Sequence, residues 1–245
     1  MKSARDSSGR TPAYDAFLNP QCLPETLDLA PVRTAILRAL SAELAHFQGI
    51  ALDIGCGQMP YKQLLLNAPS RVTKYVGLDL AQNLYGNPNL SWDGKRIPLL
   101  TGSIDCAIAT EVFEHCAQPE LVMAETIRVL KPGGMLFLTV PFLWPLHCVP
   151  DDEYRYTPFS LKRHLENCGF AQIELKALGG WDASLGQMIG LWARRRWMSP
   201  RKRALVSTLA APVVRFLTKC DTTSEGFGEN AMITGLSGTA AKPLA

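Results

Sequence analysis

Short apolar runs alternate along this chain with segments whose apolar positions recur every three or four residues. Val32, Ile36, Leu40, Leu44 and Phe47 follow Pro31 at the second spacing and predict a helix that Gly49 ends. Ile50-Ala51-Leu52 then reads as a buried strand, followed at once by Asp53-Ile54-Gly55-Cys56-Gly57. Further strands are predicted over 73–78, ending at Asp79, and over 90–92, 104–110 and 135–140. Residues 119–130 read as an amphipathic helix that Lys131-Pro132-Gly133-Gly134 stops. Another helix opens at Thr157-Pro158 and closes at Gly169, and 171–178 alternates as a strand does. Elements of these lengths in this alternation predict a doubly wound α/β domain with a mostly parallel sheet covered on both faces.

In open α/β sheets, ligands bind beyond the carboxyl ends of the strands. Polar residues or glycines stand at those ends here: Asp53, Gly55 and Gly57, then Asp79, then Asp93-Gly94, then Thr110-Glu111. Each alone is an ordinary turn or loop carboxylate, but four in order point to a nucleotide-like ligand. Paired glycines let the backbone approach a ligand closely. Asp79, 22 residues after Gly57, is placed to accept from both hydroxyls of a ribose, each such bond to a charged group contributing about 1.5–3 kcal/mol. The third glycine of a dinucleotide fingerprint is missing, since Pro60 stands there. A carboxylate at Asp53 would also repel a diphosphate in a partly desolvated site. S-adenosylmethionine has an ammonium and a sulfonium but no phosphate, so the acidic set favours it over NAD.

With these residues in view, Leu52-Asp53-Ile54-Gly55-Cys56-Gly57 resembles motif I of the type 11 methyltransferase family, a class I S-adenosylmethionine-dependent group. Val76-Gly77-Leu78-Asp79 resembles its second motif. Ser103-Ile104-Asp105, Glu111-Val112-Phe113-Glu114-His115 and Val129-Leu130-Lys131-Pro132-Gly133-Gly134 are similar to later ones. The likeness covers residues 50–140. It implies a Rossmann-like methyltransferase fold, a seven-stranded mostly parallel sheet whose antiparallel last strand lies within 231–241. Residues 181–230 then become a helical insertion before that strand. Residues 1–20 read as a loose arm and 21–245 as the methyltransferase domain. The resemblance implies S-adenosyl-L-methionine as cofactor, held by Asp53, Gly55, Cys56, Gly57, Asp79, Leu80, Asp93, Gly94 and Glu111. Gln58-Met59-Pro60-Tyr61 replaces the usual third glycine of motif I, which resembles a subgroup with Pro-Tyr there. Residues 147–157 are similar to the same subgroup, whose members often act on sugars, glycolipids or other cell-envelope intermediates.

Apolar residues at 47 % allow a substantial core, and a net charge of +3 does not point to nucleic acid as a partner. That charge hides an imbalance: residues 183–219 hold eight basic side chains and no acidic one. Trp192 and Trp197 interleave there with Arg194, Arg195, Arg196, Arg201, Lys202 and Arg203, a mixture suited to a bilayer interface. Leu205, Leu209, Val213 and Leu217 follow at helical spacing, with Pro212 interrupting them. Two readings stand: peripheral contact with an anionic membrane through 183–219, or a helical pair packed on the domain or on a second copy in a homodimer. Seven scattered cysteines without a C-x-x-C pair read as reduced thiols and imply no metal. Residues 1–10 lack the apolar stretch of a signal peptide, and the greasy run 204–214 is too short to span a bilayer. The expectation is a cytoplasmic protein, which on the first of the two readings is peripheral on the inner membrane face.

Methyl transfer from a sulfonium needs little covalent help, because the leaving group departs neutral. Alignment of the reactants is the main task, and effective molarities of about 10⁵–10⁸ M mark its reach. A hydroxyl acceptor also needs a base, for which His147, after the fifth strand, and His115, after the fourth, are the candidates. Asp151, Asp152 and Tyr154 offer an alternative role in binding a polar acceptor. The acceptor is expected to be a small molecule or a lipid-linked one. The rivals are an NAD-dependent oxidoreductase and a non-catalytic cofactor-binding subunit.

Overall fold

β1 (Gln48–Ile54) and β4 (Ile104–Thr110) are apolar runs buried over most of their length, as strands covered on both faces must be. They pair in parallel, Leu52 opposite Ala107 and Ile54 opposite Ala109. β2 (Arg71–Leu80) lies on the other side of β1, and β3 (Leu90–Trp92) beside β2, both parallel. β5 (Leu130–Pro141) continues the parallel set from β4. β6 (Ala171–Ala177) and β7 (Gly235–Ala241) complete a seven-stranded sheet of order β3-β2-β1-β4-β5-β7-β6. β7 runs antiparallel: Gly133 donates its N–H to the Lys242 carbonyl at 2.9 Å, and Lys242 returns one to Gly134 at 2.8 Å. The strand order reverses between β1 and β4, which leaves a crevice at their carboxyl ends.

These features come from a computed structural model that describes residues 16–244 except 84, 85, 87, 224 and 225. Most of the arm expected over 1–20 therefore lies outside the described residues. The chain forms two compact units, one of 40–176 with 236–244 and one of 16–39 with 177–235.

In the first unit, the elements that bear on the crevice are α2 (Lys62–Leu65), α3 (Pro119–Val129) and α4 (Pro158–Asn167). α3 is held to the loop after β3 by Arg128, which grips Glu125 at 2.6–2.7 Å and donates to the Ile97 and Leu99 carbonyls at 2.9 Å. Thr157 caps α4 by accepting the Ser160 N–H, and Pro158 occupies its first turn.

Two expected boundaries move. α1 (Ala30–Glu43) ends before Gly49, which instead lies inside β1 where the pairing with β2 shifts register. Lys131-Pro132-Gly133-Gly134 does end α3, but it already belongs to β5, because Lys242 beyond β7 supplies the backbone partners.

The second unit holds α5 (Trp181–Arg195) and α6 (Pro200–Cys220), the helical insertion expected before the last strand. Leu27, Ala211 and Val214 form its small core, with Cys22, Ile189 and Ala210 packed on it. Asp221 accepts the Gly180 and Ala183 N–H groups at 2.9 and 2.8 Å and so satisfies the first turn of α5. Asp28 receives Arg195 at 2.9 Å. Pro212 does not interrupt α6 as expected: the helix runs through it. Pro212 is exposed, so the Thr208 carbonyl that it leaves without a donor is on the wetted side.

Candidate cofactor site

The chain after β1 must turn back beneath the end of β2, and Gly55 is where it does so. Its φ is +66°, and a Cβ there would come within 2.6 Å of the Val112 side chain. Gly57 follows, also at positive φ, and its N–H donates to Asp79 Oδ2 at 2.9 Å. The other Asp79 oxygen accepts the Leu80 N–H at 2.7 Å. Asp79 thereby ties the glycine loop to the end of β2 while its remaining lone pairs face the crevice.

A cavity of about 740 Å³ opens at this point. Gly55, Gly57, Asp79, Leu80, Asp93, Gly94, Glu111 and His115 all line it, so the carboxyl ends of β1, β2, β3 and β4 converge as the sequence implied. Leu80 is half exposed there and offers apolar surface to a planar ring. Asp93 accepts the Lys95 and Arg96 N–H groups at 2.9 and 3.0 Å. Those bonds, Arg96 first, hold its carboxyl below the usual range.

Asp53, Cys56 and His147 are not among the lining residues. The Asp53 carboxylate is buried and accepts a hydrogen bond from the Tyr75 hydroxyl instead. Burial pushes it up to about 7, with the Tyr75 bond pulling the other way and the Asp79 charge adding to the rise. The Cys56 thiol lies down on β2, close enough that a Cβ on Gly77 would meet it at 2.9 Å. Both residues support the loop from beneath. His147 stands behind the wall: its ring packs edge-on to His115 with centroids 4.7 Å apart, and Nδ1 lies 3.3 Å from Asp152. Burial lowers its pKa, against the raising effect of Asp152.

His115 lies on a single 3-10 turn, Phe113–His115. Its Nδ1 donates to the Asp151 carbonyl at 2.6 Å, which leaves Nε2 as the ring's lone-pair position. Arg155 organises the loop behind it, binding Asp152 through both nitrogens at 2.8 and 2.9 Å and holding that carboxylate well below its ordinary range. Asp152 is therefore committed inside the protein, whereas Asp151 lines the cavity.

Sequence reasoning missed the apolar wall of Trp92, Val112, Leu121 and Val122. Trp92 carried a signal, an aromatic just before Asp93-Gly94. Leu121 and Val122 looked like an ordinary core face of α3. Glu114, fully buried with no hydrogen-bond partner on either oxygen, was visible only as a motif letter.

This sheet order, with an antiparallel seventh strand and a cavity at the switch point, defines a class I S-adenosylmethionine-dependent methyltransferase fold. Residues 52–138, the stretch that holds the motifs above, match the family model of a methyltransferase domain. Malonyl-acyl-carrier-protein O-methyltransferase of Alcanivorax borkumensis is 30 % identical over 125 residues, covering 46 % of this chain and 42 % of that protein. Ubiquinone biosynthesis O-methyltransferase of Xanthomonas oryzae is 31 % identical over 124 residues, covering 45 % and 49 %. The chain thus spans less than half the length of these relatives. Among solved structures, the cyclase SpnF superposes with a TM-score of 0.56 at 19 % identity, over 87 % of this chain and 83 % of that one. A Haemonchus contortus N-methyltransferase with bound S-adenosylhomocysteine gives 0.53 at 14 % identity, over 84 % and 52 %.

The residues present fit the family's cofactor. A Cβ-free turn at Gly55, a carboxylate at Asp79 with lone pairs to spare and an apolar wall beside Leu80 suit a backbone-contacted amino acid, a ribose and an adenine.

Proposed function

We propose that the chain transfers a methyl group from S-adenosylmethionine to a small-molecule or lipid-linked acceptor, with sugars, glycolipids and other cell-envelope intermediates as the favoured class. The convergence of Gly55, Gly57, Asp79, Leu80, Asp93 and Gly94 on one cavity carries this reading. The cofactor supplies an electrophilic methyl carbon on a sulfonium that leaves as a neutral thioether. The protein's part is to hold that group through the glycine loop and Asp79 and to keep the acceptor in line with it. In this reading His115, which lines the cavity, takes the proton of an acceptor hydroxyl, and its bond to the Asp151 carbonyl and its contact with His147 hold the ring.

The lipid-linked acceptor is favoured by the outward faces of α5 and α6. The residues that α5 and α6 bury are mostly small: Ser184, Gly186, Gly190 and Ala193 on α5, Ser207 and Ala211 on α6. Their large apolar residues point outward instead. Trp181, Leu185, Met188 and Trp192 share one exposed face, and Leu205, Leu209, Val213 and Phe216 share another at 46–66 % exposure. Trp197, between the helices, is 95 % exposed among Arg194, Arg196, Arg201, Lys202 and Arg203. Apolar faces beside a cationic rim suit peripheral attachment to an anionic bilayer, each cation contributing about 1 kcal/mol before screening by salt. No helix among the described residues is long and apolar enough to cross a membrane.

The protein should be incubated with methyl-labelled S-adenosylmethionine and separated membrane-lipid and soluble fractions of cell extract, and with vesicles in parallel. Label in the lipid fraction, with sedimentation on anionic but not neutral vesicles, is the expected result. Label confined to soluble molecules, or a stable dimer without vesicle binding, overturns the lipid-linked acceptor. Cofactor binding without transfer to any fraction overturns the enzyme in favour of a binding subunit.

A further inference from the structure

Glu111 stands at the end of β4 with φ +55°, a region that residues other than glycine seldom adopt. Its N–H is fixed by the Thr139 carbonyl at 3.0 Å and by the Thr139 hydroxyl at 3.2 Å. The side chain lines the cavity, yet Oε1 is buried with no hydrogen-bond partner. Behind it, Glu114 has no exposed surface and no hydrogen-bond partner for either oxygen; the nearest ring nitrogen, His115 Nε2, is 3.7 Å away. The other ionisable groups that face this pair among the described residues are Asp152, Arg155, Cys116 and Tyr156. Arg155 is the one full cation of the set, and it is spent on Asp152 and on the carbonyls of Trp144, Pro145 and Tyr154. The cavity wall therefore holds two buried carboxyls without a dedicated counter-charge. Such groups keep a proton until a positive charge arrives.

Resting on the reading of this cavity as the S-adenosylmethionine site, we propose that Glu111 distinguishes the cationic cofactor from its neutral product. Its carboxyl releases a proton to solvent when the cation binds, and regains one once the methyl group has left and the sulfonium charge is gone. Both molecules carry the same α-ammonium and α-carboxylate, and S-adenosylmethionine adds the sulfonium charge, so it alone brings that extra cation to the Glu111 anion. Burial already pushes Glu111 up to about 7, with Thr139 and Arg155 pulling the other way, so the group is poised at working pH. Glu114 is also raised, by burial first and by the Glu111 charge next, with Arg155 pulling the other way. The sign follows: affinity for the cationic cofactor rises as pH increases through about 7 and falls below it, while affinity for the product changes less.

Calorimetric titrations of the whole chain at pH 7, in buffers of different ionisation enthalpy, count the protons. We expect S-adenosylmethionine to release about half a proton, the fraction set by a group with pKa near the working pH, and S-adenosylhomocysteine to release close to none. Glu111→Gln should abolish the difference, and Asp53→Asn, whose carboxyl also titrates near 7 but outside the cavity, should leave it intact. Equal release with both molecules in the unaltered protein overturns the proposal without the need of any variant. A difference that survives in Glu111→Gln overturns it too. Failure of both molecules to bind overturns the cofactor reading itself, and this inference with it.

Discussion

Asp79 bonds two backbone amides, Gly57 and Leu80, before any ligand is considered. Asp79→Ala removes the anchor of the glycine loop and the proposed ribose acceptor together. Affinity for S-adenosylmethionine should fall at least tenfold, since about 1.4 kcal/mol suffices for that factor. Calorimetry showing unchanged affinity would take Asp79 out of the site. Asp53 marks what nearness in sequence could not tell. It sits two residues before Gly55, as a ligand might, but its carboxylate turns inward to Tyr75. Which way a side chain points from the end of a buried strand depends on the partner beneath it, and Tyr75 belongs to the neighbouring strand, 22 residues away. His147 gives the same lesson. Its place after β5 is right for a base, yet Cys148 and Asp151 reach the cavity wall and His147 does not.

At the scale of elements, β7 was the hardest strand to read, because Gly235 and Gly238 weaken its local preference. Packing explains them. A Cβ on Gly238 would meet the Leu175 side chain at 2.4 Å and the Glu174 carbonyl at 2.7 Å, so a residue without a side chain is needed where β7 passes β6. β7 lies between β5 and β6, and its loss leaves β6 without its neighbour and opens the edge of β5. Truncation after Asn230 should therefore abolish the cooperative melt, or lower the melting temperature by well over ten degrees, at ~2–4 °C per kcal/mol. A truncated chain that melts like the full one would contradict the strand order. α1, α3 and the apolar stripe of α6 were legible from apolar spacing and α4 from its Thr157-Pro158 start and Gly169 end, whereas α2 gave no signal and α5 came only with the implied insertion. The fate of the apolar faces was not legible: on α5 and α6 the large residues of the stripe lie outside and mostly small ones inside.

For the whole molecule, buried carboxyls set a pH window. Asp53 and Glu111 are raised to about 7 and Glu114 upward, all by burial first. Stability from a raised carboxyl is full below its unfolded value near 4 and is lost as pH climbs through its folded value. Asp152 and Glu125 are held down by Arg155 and Arg128, so their contribution is present above about 4 and lost as pH falls through their lowered values. Thermal melts across the range should be highest at roughly pH 4–5 and decline as pH rises from there toward 7. The double variant Asp53→Asn with Glu111→Gln should flatten the alkaline limb and raise the melting temperature at pH 8 by a few degrees (~2–4 °C per kcal/mol). A maximum at pH 8 that the double variant leaves in place would contradict this. The sequence by itself determined the alternation of strands and helices, the glycine loop, Asp79 and the resemblance to a methyltransferase domain, because these depend on residues close together in the chain and on apolar periodicity. The tertiary structure alone decided which carboxylates are buried without partners, which histidine reaches the cavity and which faces of α5 and α6 meet solvent. Burial and counter-charge are properties of segments brought together from far apart: burial keeps the protons on Glu111 and Glu114 against the pull of Arg155, and for Glu111 of Thr139, on other strands and loops, and no spacing along the chain encodes that.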